Sequence, residues 1–313
     1  MSPTTPALRI GTRGSPLALA QAGMVRDALA GANPNLAEKG AVEVVVIKTT
    51  GDRVLDRPLA EIGGKGLFTK EIEEALLDGT IDLAVHSMKD VPTLLPPGLV
   101  IAAMLPREDP RDALIAGPGV ARIADLPEGV VVGTASLRRG AQLLARRPDL
   151  QVVPLRGNVQ TRLRKLGEGE VAATFLALAG LRRLGLEAAA SGVIEPDEML
   201  PAVAQGAVGI EVREGDKRVL GLLAGIDHAA TFRAVVAERA FLAALEGSCR
   251  TPIAALAEFD GKGGLTFRGL VARPDGTGLR WVERQAAADD AEVVGAVAGA
   301  ELRGELPADF FDA

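Results

Sequence analysis

The chain has a single cysteine, Cys249, set in Glu246-Gly247-Ser248-Cys249-Arg250-Thr251-Pro252. A thiol in a Gly-Ser loop beside an arginine is more accessible and more acidic than one on an apolar face, which suits a nucleophile or a covalent attachment point; a lone cysteine also reads as inert filler. Asp90 is the second residue that could do chemistry. It lies in Asp82-Leu83-Ala84-Val85-His86-Ser87-Met88-Lys89-Asp90-Val91-Pro92, where polar groups follow an apolar strand. The carboxyl ends of strands border the ligand crevice of open α/β sheets, so Asp90, beside Lys89, is placed to act on a substrate; the simpler reading is an Asp that initiates a turn. The chain has two histidines, His86 and His228, and no tyrosine. That removes most His-rich metal sites and a Ser-His-Asp triad, leaving catalysis to Asp, Glu, Lys, Arg or Cys249. His86 has no second histidine near it and reads as a hydrogen-bonded structural residue.

Three helix starts carry arginine. Ser15-Pro16 has the form of an N-cap with proline at the first helical position, and Arg13 precedes it. Ser136 caps a second, followed by Leu137, Arg138 and Arg139, and Asn158 a third, with Arg156 and Gly157 before it and Arg162 one turn inside. Cations at a helix N-terminus oppose the macrodipole by about 0.3 to 1 kcal/mol each, so something negative must offset them. A carboxylate or phosphate there would meet both free backbone N–H groups and the guanidinium fork. Arg13, Arg138, Arg139, Arg156 and Arg162 are therefore candidate anion ligands, although each alone would pass for a surface salt-bridge partner. Between Val131 and Leu166 eight basic residues face one acid, Asp149, a local charge of +7 within a chain of net charge −6. Such a run suits an anionic ligand or a solvated charged face. Gly63-Gly64-Lys65-Gly66 is not a phosphate-binding loop, because Leu59 and Gly66 stand where a glycine and a hydroxyl are required; a basic lid loop or an ordinary turn remains.

Apolar runs of strand length at Leu8 to Gly11, Val42 to Lys48, Ile81 to Val85 and Leu99 to Ala103 enclose helical spacing at Ser15 to Ala30 and Phe68 to Leu77. The alternation predicts an α/β lobe. A second follows, with strands near Val130 to Thr134, Val152 to Leu155 and Val171 to Phe175 and helices near Ser136 to Arg147 and Asn158 to Leu166. Proline-bearing stretches at 106–110 and 196–201 read as crossings between the lobes. After Asp227 come a long helix, the cysteine loop, strands near Ile253 to Ala257, Leu265 to Ala272 and Leu279 to Arg284, and a helix start at 286–290, together a small α+β domain. The expected division is 1–105 with 202–222, then 106–201, then 223–313.

At 313 residues, 48% hydrophobic and 24% charged, the chain suits a soluble protein of two or three domains of roughly 100 residues. No secretory leader and no apolar run of about 18 residues is seen, and one cysteine fits a reducing compartment, so a cytoplasmic protein is expected. One tryptophan, no tyrosine and eight phenylalanines offer few stacking platforms for nucleic acid.

Taken in order, Leu8-Arg9-Ile10-Gly11-Thr12-Arg13 with Ser15-Pro16-Leu17-Ala18-Leu19, Gly63-Gly64-Lys65-Gly66-Leu67-Phe68, His86 to Pro92, Gly133-Thr134 with Ser136-Leu137-Arg138-Arg139, Arg156-Gly157-Asn158-Val159, Gln205-Gly206-Ala207 and the Cys249 loop resemble the porphobilinogen deaminase (hydroxymethylbilane synthase) family over nearly the whole chain. The resemblance implies two α/β lobes similar to periplasmic binding proteins with a smaller α+β third domain, the first lobe being completed by a return segment at 206–213. It implies a transferase of tetrapyrrole biosynthesis that joins four porphobilinogens into linear hydroxymethylbilane with loss of ammonia, on a dipyrromethane cofactor held by thioether to Cys249. Asp90 would stabilise the cationic azafulvene and assist proton transfer. Arg13, Ser15, Ser87, Lys89, Thr134, Ser136, Arg138, Arg139, Arg156, Arg162, Arg183 and Gln205 would bind cofactor or substrate, and Lys65 would sit in the lid. A monomer is implied, with no nucleic acid or membrane partner and a functional coupling to the next enzyme of the pathway. Arg139→Leu would then impair assembly rather than folding. Departures are local: Ser248 precedes the cysteine where Gly is common, and Gly140-Ala141 follow Arg139. The rival is a two-lobed anion-binding receptor or sensor, which leaves Cys249 without a task and ordinarily needs export.

Overall fold

A computed structural model describes residues 7–53, 66–247 and 251–311. Lobe one contains β1 (Leu8–Thr12), α1 (Pro16–Ala32), β2 (Val42–Val46), α2 (Thr50–Arg53), α3 (Lys70–Leu77), β3 (Leu83–Ser87) and β4 (Leu99–Met104). Lobe two contains β5 (Asp112–Ala116), β6 (Val131–Gly133), α4 (Leu137–Arg146), β7 (Gln151–Val153), α5 (Val159–Gly167), β8 (Ala173–Ala177), α6 (Leu178–Arg183) and β9 (Gly192–Ile194). The chain then returns to lobe one as β10 (Val208–Arg213) and α7 (Lys217–Leu223) and continues into α8 (Ala229–Ala244). A smaller third sheet, β11 (Ile253–Phe259), β12 (Gly264–Val271) and β13 (Arg280–Ala287), carries α9 (Ala291–Glu305).

The two large sheets share one pattern. In lobe one the order is β2-β1-β3-β10-β4, with β10 antiparallel to both neighbours; in lobe two it is β7-β6-β8-β5-β9, with β5 antiparallel to both of its own. Sheets covered on both faces need apolar residues on both, and each lobe supplies two clusters. Leu8, Ile10, Val25, Leu29, Val85 and Ile210 fill one side of lobe one, and Ile72, Leu76, Ile81 and Ala84 the other. Leu114, Val132, Leu143 and Phe175 do the first job in lobe two, and Ile115, Leu176, Leu178 and Leu181 the second. The third sheet is an antiparallel meander, and its Ala254, Leu256 and Leu270 pack with Ala141 and Leu200.

Two compact units result, Met1–Arg107 with Ala207–Phe232 and Glu108–Gly206 with Arg233–Ala313. The crossings thus lie at 107–108 and 206–207, and the third sheet shares a unit with lobe two through that common apolar cluster.

Candidate active site

Lobe one presents the acid. Met88–Asp90 form a 3-10 turn directly after β3, so Asp90 stands at the carboxyl end of a central strand. The turn is pinned to β10: Met88 N donates to Ala207 O at 3.0 Å, and Met88 is 1% exposed. Gly209 makes room for it, since a Cβ there would lie 2.0 Å from Met88 Sδ. Beside the turn, Ser87 Oγ and the Gln21 side-chain amide are in hydrogen-bond contact at 2.8 Å. Ser15 caps α1, its Oγ accepting from Ala18 N at 3.2 Å, with Pro16 opening the helix as anticipated.

Arg13 follows β1. Its Nε donates to both carboxylate oxygens of Asp52 at 3.2 Å, its Nη2 to Asp52 Oδ1 at 2.5 Å, and its Nη1 stops 3.9 Å from Asp90 Oδ2. The Phe68 ring covers the guanidinium, 4.1 Å from Cζ to centroid. Arg13, Ser15, Gln21, Phe68, Ser87 and Asp90 line one cavity of about 60 Å³, together with His86 and Thr69. That volume takes a few waters or one carboxylate- or amine-sized substituent, not a pair of rings. Asp52 is held below the usual carboxylate range: burial pushes it up, and the Arg13 and Thr49 hydrogen bonds with the Arg13 charge outweigh that. His86 Nε2 lies 3.0 Å from Glu211 Oε2 on β10, both residues being buried, so His86 is tied into the sheet.

In lobe two the expected residues also follow the carboxyl ends of parallel strands. Thr134 and Ser136 follow β6, Arg156 follows β7, and Arg183 ends the helix after β8. Thr134 Oγ1 accepts from Ser136 N at 3.1 Å, and Ser136 Oγ accepts from Arg139 N at 3.4 Å as the cap of α4. Asn158 caps α5, accepting from Thr161 N at 2.9 Å, and Arg162 Nε donates to Gly157 O at 2.8 Å.

The anion that offsets Arg138 and Arg139 belongs to the protein. Both are 5% exposed and turn inward onto Asp112, which is fully buried at the start of β5. Asp112 Oδ1 accepts from Arg139 Nη2 at 2.7 Å and Nε at 3.2 Å and from Gln205 Nε2 at 2.9 Å, while Oδ2 lies 2.7 Å from Arg138 Nη2. Arg139 Nη1 donates to Phe175 O and Arg138 Nη1 to Leu200 O, each at 2.8 Å. Burial would raise the Asp112 pKa, but the two cations, with hydrogen bonds from Arg139 and Gln205, carry it far below the ordinary value. The Arg139 guanidinium thus holds a buried carboxylate, so its replacement bears on folding as well as on any ligand. Gln205 is likewise committed, to Asp112 and to Pro110 O at 2.7 Å.

Other charges of the basic run are spent on the surface, in Arg147–Asp149 at 2.8 Å, Arg164–Glu168 at 2.6 Å and Lys165–Glu170 at 3.4 Å. What stays open is more specific. Arg138 Nε, Arg156 Nη1 and Arg183 Nε are buried with no hydrogen-bond partner among the described residues, although Arg183 Nη2 donates to Gly206 O at 2.6 Å. Burial lowers the Arg183 pKa, with the Glu108 charge opposing. Cys249 and Lys65 lie outside the described residues; Lys89 is described and has an interaction partner. Sequence reasoning missed Asp52, Asp112, Gln21 and Glu211, none of which stands in a motif that announces a site.

In each lobe polar and guanidinium groups are set at the carboxyl ends of parallel strands, with an acid added in lobe one, and this defines a protein of two α/β lobes with polar strand ends, the usual place of a ligand in open α/β sheets. Residues 8–221 match the family model for the porphobilinogen deaminase dipyrromethane cofactor-binding domain, and residues 232–304 match that for the porphobilinogen deaminase C-terminal domain. The chain belongs to the porphobilinogen deaminase family. It is 60% identical to the porphobilinogen deaminase of Paracoccus denitrificans, over 97% of this chain and 96% of that one, and 57% identical to the chloroplastic porphobilinogen deaminase of Oryza sativa, over 97% and 86%. Among solved structures, it aligns over 70% of its length with 84% of the VFT2 domain of Bordetella pertussis BvgS at TM-score 0.41 and 13% identity, a likeness too distant to bear on activity. Among the described residues, no helix is long and apolar enough to cross a membrane.

Proposed function

We propose that this chain joins four porphobilinogen molecules on its cofactor with release of four ammonia molecules and frees linear hydroxymethylbilane by hydrolysis with one water, with Asp90 as the catalytic carboxylate. The observation that carries the assignment of Asp90 is its place in the small lobe-one cavity beside Arg13, Ser15 and Ser87. Each ring of the product bears an acetate and a propionate, so the growing chain is a polyanion. The buried, unpartnered nitrogens of Arg156 and Arg183 fit such a group, since a guanidinium N–H left without an acceptor in the interior is costly. Arg156, Arg162 and Arg183, with Ser87, Lys89 and Arg13, are assigned to the carboxylates of cofactor and substrate, and Cys249 to the thioether. When bound, dipyrromethane supplies the free ring carbon to which the first unit is joined, and each later unit joins the ring added before it.

The residues of the chain do the rest. Positive charge develops on the substrate methylene and pyrrole N–H as the C–N bond breaks, and the Asp90 carboxylate, about one-third exposed, offers a fixed negative charge to it. The amine, as its ammonium form, leaves as ammonia when the C–N bond breaks; once the C–C bond has formed, the ring carbon gives up its proton to Asp90, which releases it to ammonia or water. A histidine there would add a like charge, and His86 is bound to Glu211 instead.

A thiol free to be alkylated requires a reducing compartment, so the chain is assigned to the cytoplasm, working as a monomer. Intact mass spectrometry of active protein tests the function: it should show the chain mass plus two deaminated porphobilinogen units, absent in Cys249→Ser. An active protein of bare chain mass would refute the proposal.

A further inference from the structure

We propose that Asp52 is a positioning residue for Asp90, whose grip on Arg13 keeps that cation from closing onto the catalytic carboxylate. The inference rests on the assignment of Asp90 above. Arg13 is the one cation recorded within ion-pair distance of Asp90 among the described contacts, and its Nη1 stands at 3.9 Å from Oδ2, beyond hydrogen-bond reach. What holds it off is visible. Asp52 takes Nε and Nη2, the two donors on the far edge of the guanidinium, with three hydrogen bonds. Asp52 is itself fixed, because Thr49 Oγ1 donates to its Oδ2 at 2.8 Å. The Phe68 ring lies 4.1 Å from the guanidinium Cζ and closes off that side of the group.

Charge explains why the division matters. An acid that must face a developing cation is weakened by any fixed cation already paired to it. Arg13 is useful near the cavity for the carboxylates of a ligand, yet a full Arg13–Asp90 pair would neutralise the group that does the chemistry. A second carboxylate on the opposite edge solves both problems: the guanidinium stays in the cavity wall with its charge shared. Asp52 is ionised in this setting, since its hydrogen bonds and the Arg13 charge outweigh burial.

The test is Asp52→Asn beside Asp52→Glu in the cofactor-loaded protein, with adduct mass, kcat and KM measured separately, and a crystal structure of the Asn variant. The amide keeps the shape but cannot hold the bidentate grip, so Arg13 Nη1 should move to within about 3 Å of Asp90. Turnover should fall roughly tenfold with KM little changed, and Glu should restore most of it. An Asn variant with normal adduct mass, an unchanged Arg13–Asp90 distance and full kcat would overturn the proposal. So would a lower KM with kcat retained, which would make Asp52 a competitor of ligand carboxylates, or equal damage in both variants with a fall in melting temperature, which would make it a folding residue. Absence of the adduct from the wild-type protein would count instead against the assignment of function.

Discussion

Removing the Asp112 carboxylate is the sharpest perturbation the structure offers. Asp112→Ala leaves Arg138 and Arg139, each 5% exposed, as two like charges with no counter-ion, and deprives three N–H donors, two on Arg139 and one on Gln205, of their acceptor. Breaking a buried pair by deleting one partner costs about 3–5 kcal/mol, and here the upper end applies because one carboxylate serves two cations. At about 2–4 °C per kcal/mol for a unit of this size, melting should fall by roughly 10–20 °C. Calorimetry gives the total, and hydrogen exchange at β5 and β8 localises it, since Asp112 pairs with Ala177 across those strands. Adding Arg139→Leu to Asp112→Ala should recover part of the loss by removing one of the two like charges. The pH dependence has a definite sign. The folded pKa is depressed, so the contribution is fully present above the unfolded value of about 4 and is lost only as pH falls below it toward the folded value. Wild type and variant should therefore differ by a constant amount from pH 8 to about 5 and converge in strong acid. A destabilisation under about 1 kcal/mol at pH 7 would refute the account, since that is the worth of a surface pair.

Two further outcomes are expected. Asp90→Ala should lower turnover by at least about 100-fold while the cofactor adduct remains detectable by mass, and near-normal turnover would remove Asp90 from the mechanism. Glu73, buried on α3, has its pKa raised from 4.5 chiefly by burial, with the Glu211 charge adding to it. Its contribution is therefore present below that value and lost as pH rises, so Glu73→Gln should melt with wild type at pH 4 and above it at pH 8, as followed by thermal denaturation across pH.

Much of the fold was legible because its strands announce themselves. β1, β2, β4 and β6 to β8 are apolar runs bounded by turn residues, and the caps of α1, α4 and α5 were read from Ser15, Ser136 and Asn158. β5 was missed because it opens on an aspartate, and a fully buried Asp112 looks polar until its cationic partners are known. β9 has three residues, too few for a period. Ile81 was placed in β3, but the strand begins at Leu83 and runs on to Ser87, since it is fixed by pairing with β1 and β10 rather than by hydropathy. The helix-start arginines show the same limit at the site. The macrodipole argument required a negative partner and found the right positions, but the partner of Arg138 and Arg139 stands some two dozen residues upstream in a strand that local reading had passed over.

The place of β10 has a consequence for synthesis on the ribosome. β3 and β4 leave a gap that only Val208–Arg213 fills, whereas every strand of the lobe-two sheet has been made by Ile194. Of the two large sheets, the one begun first is thus completed second, against the usual N-terminal-first order of nascent chains. Until residue 213 emerges, the edges of β3 and β4 that will flank β10 carry unpaired backbone groups, and it is this nascent half-sheet that would most need a chaperone.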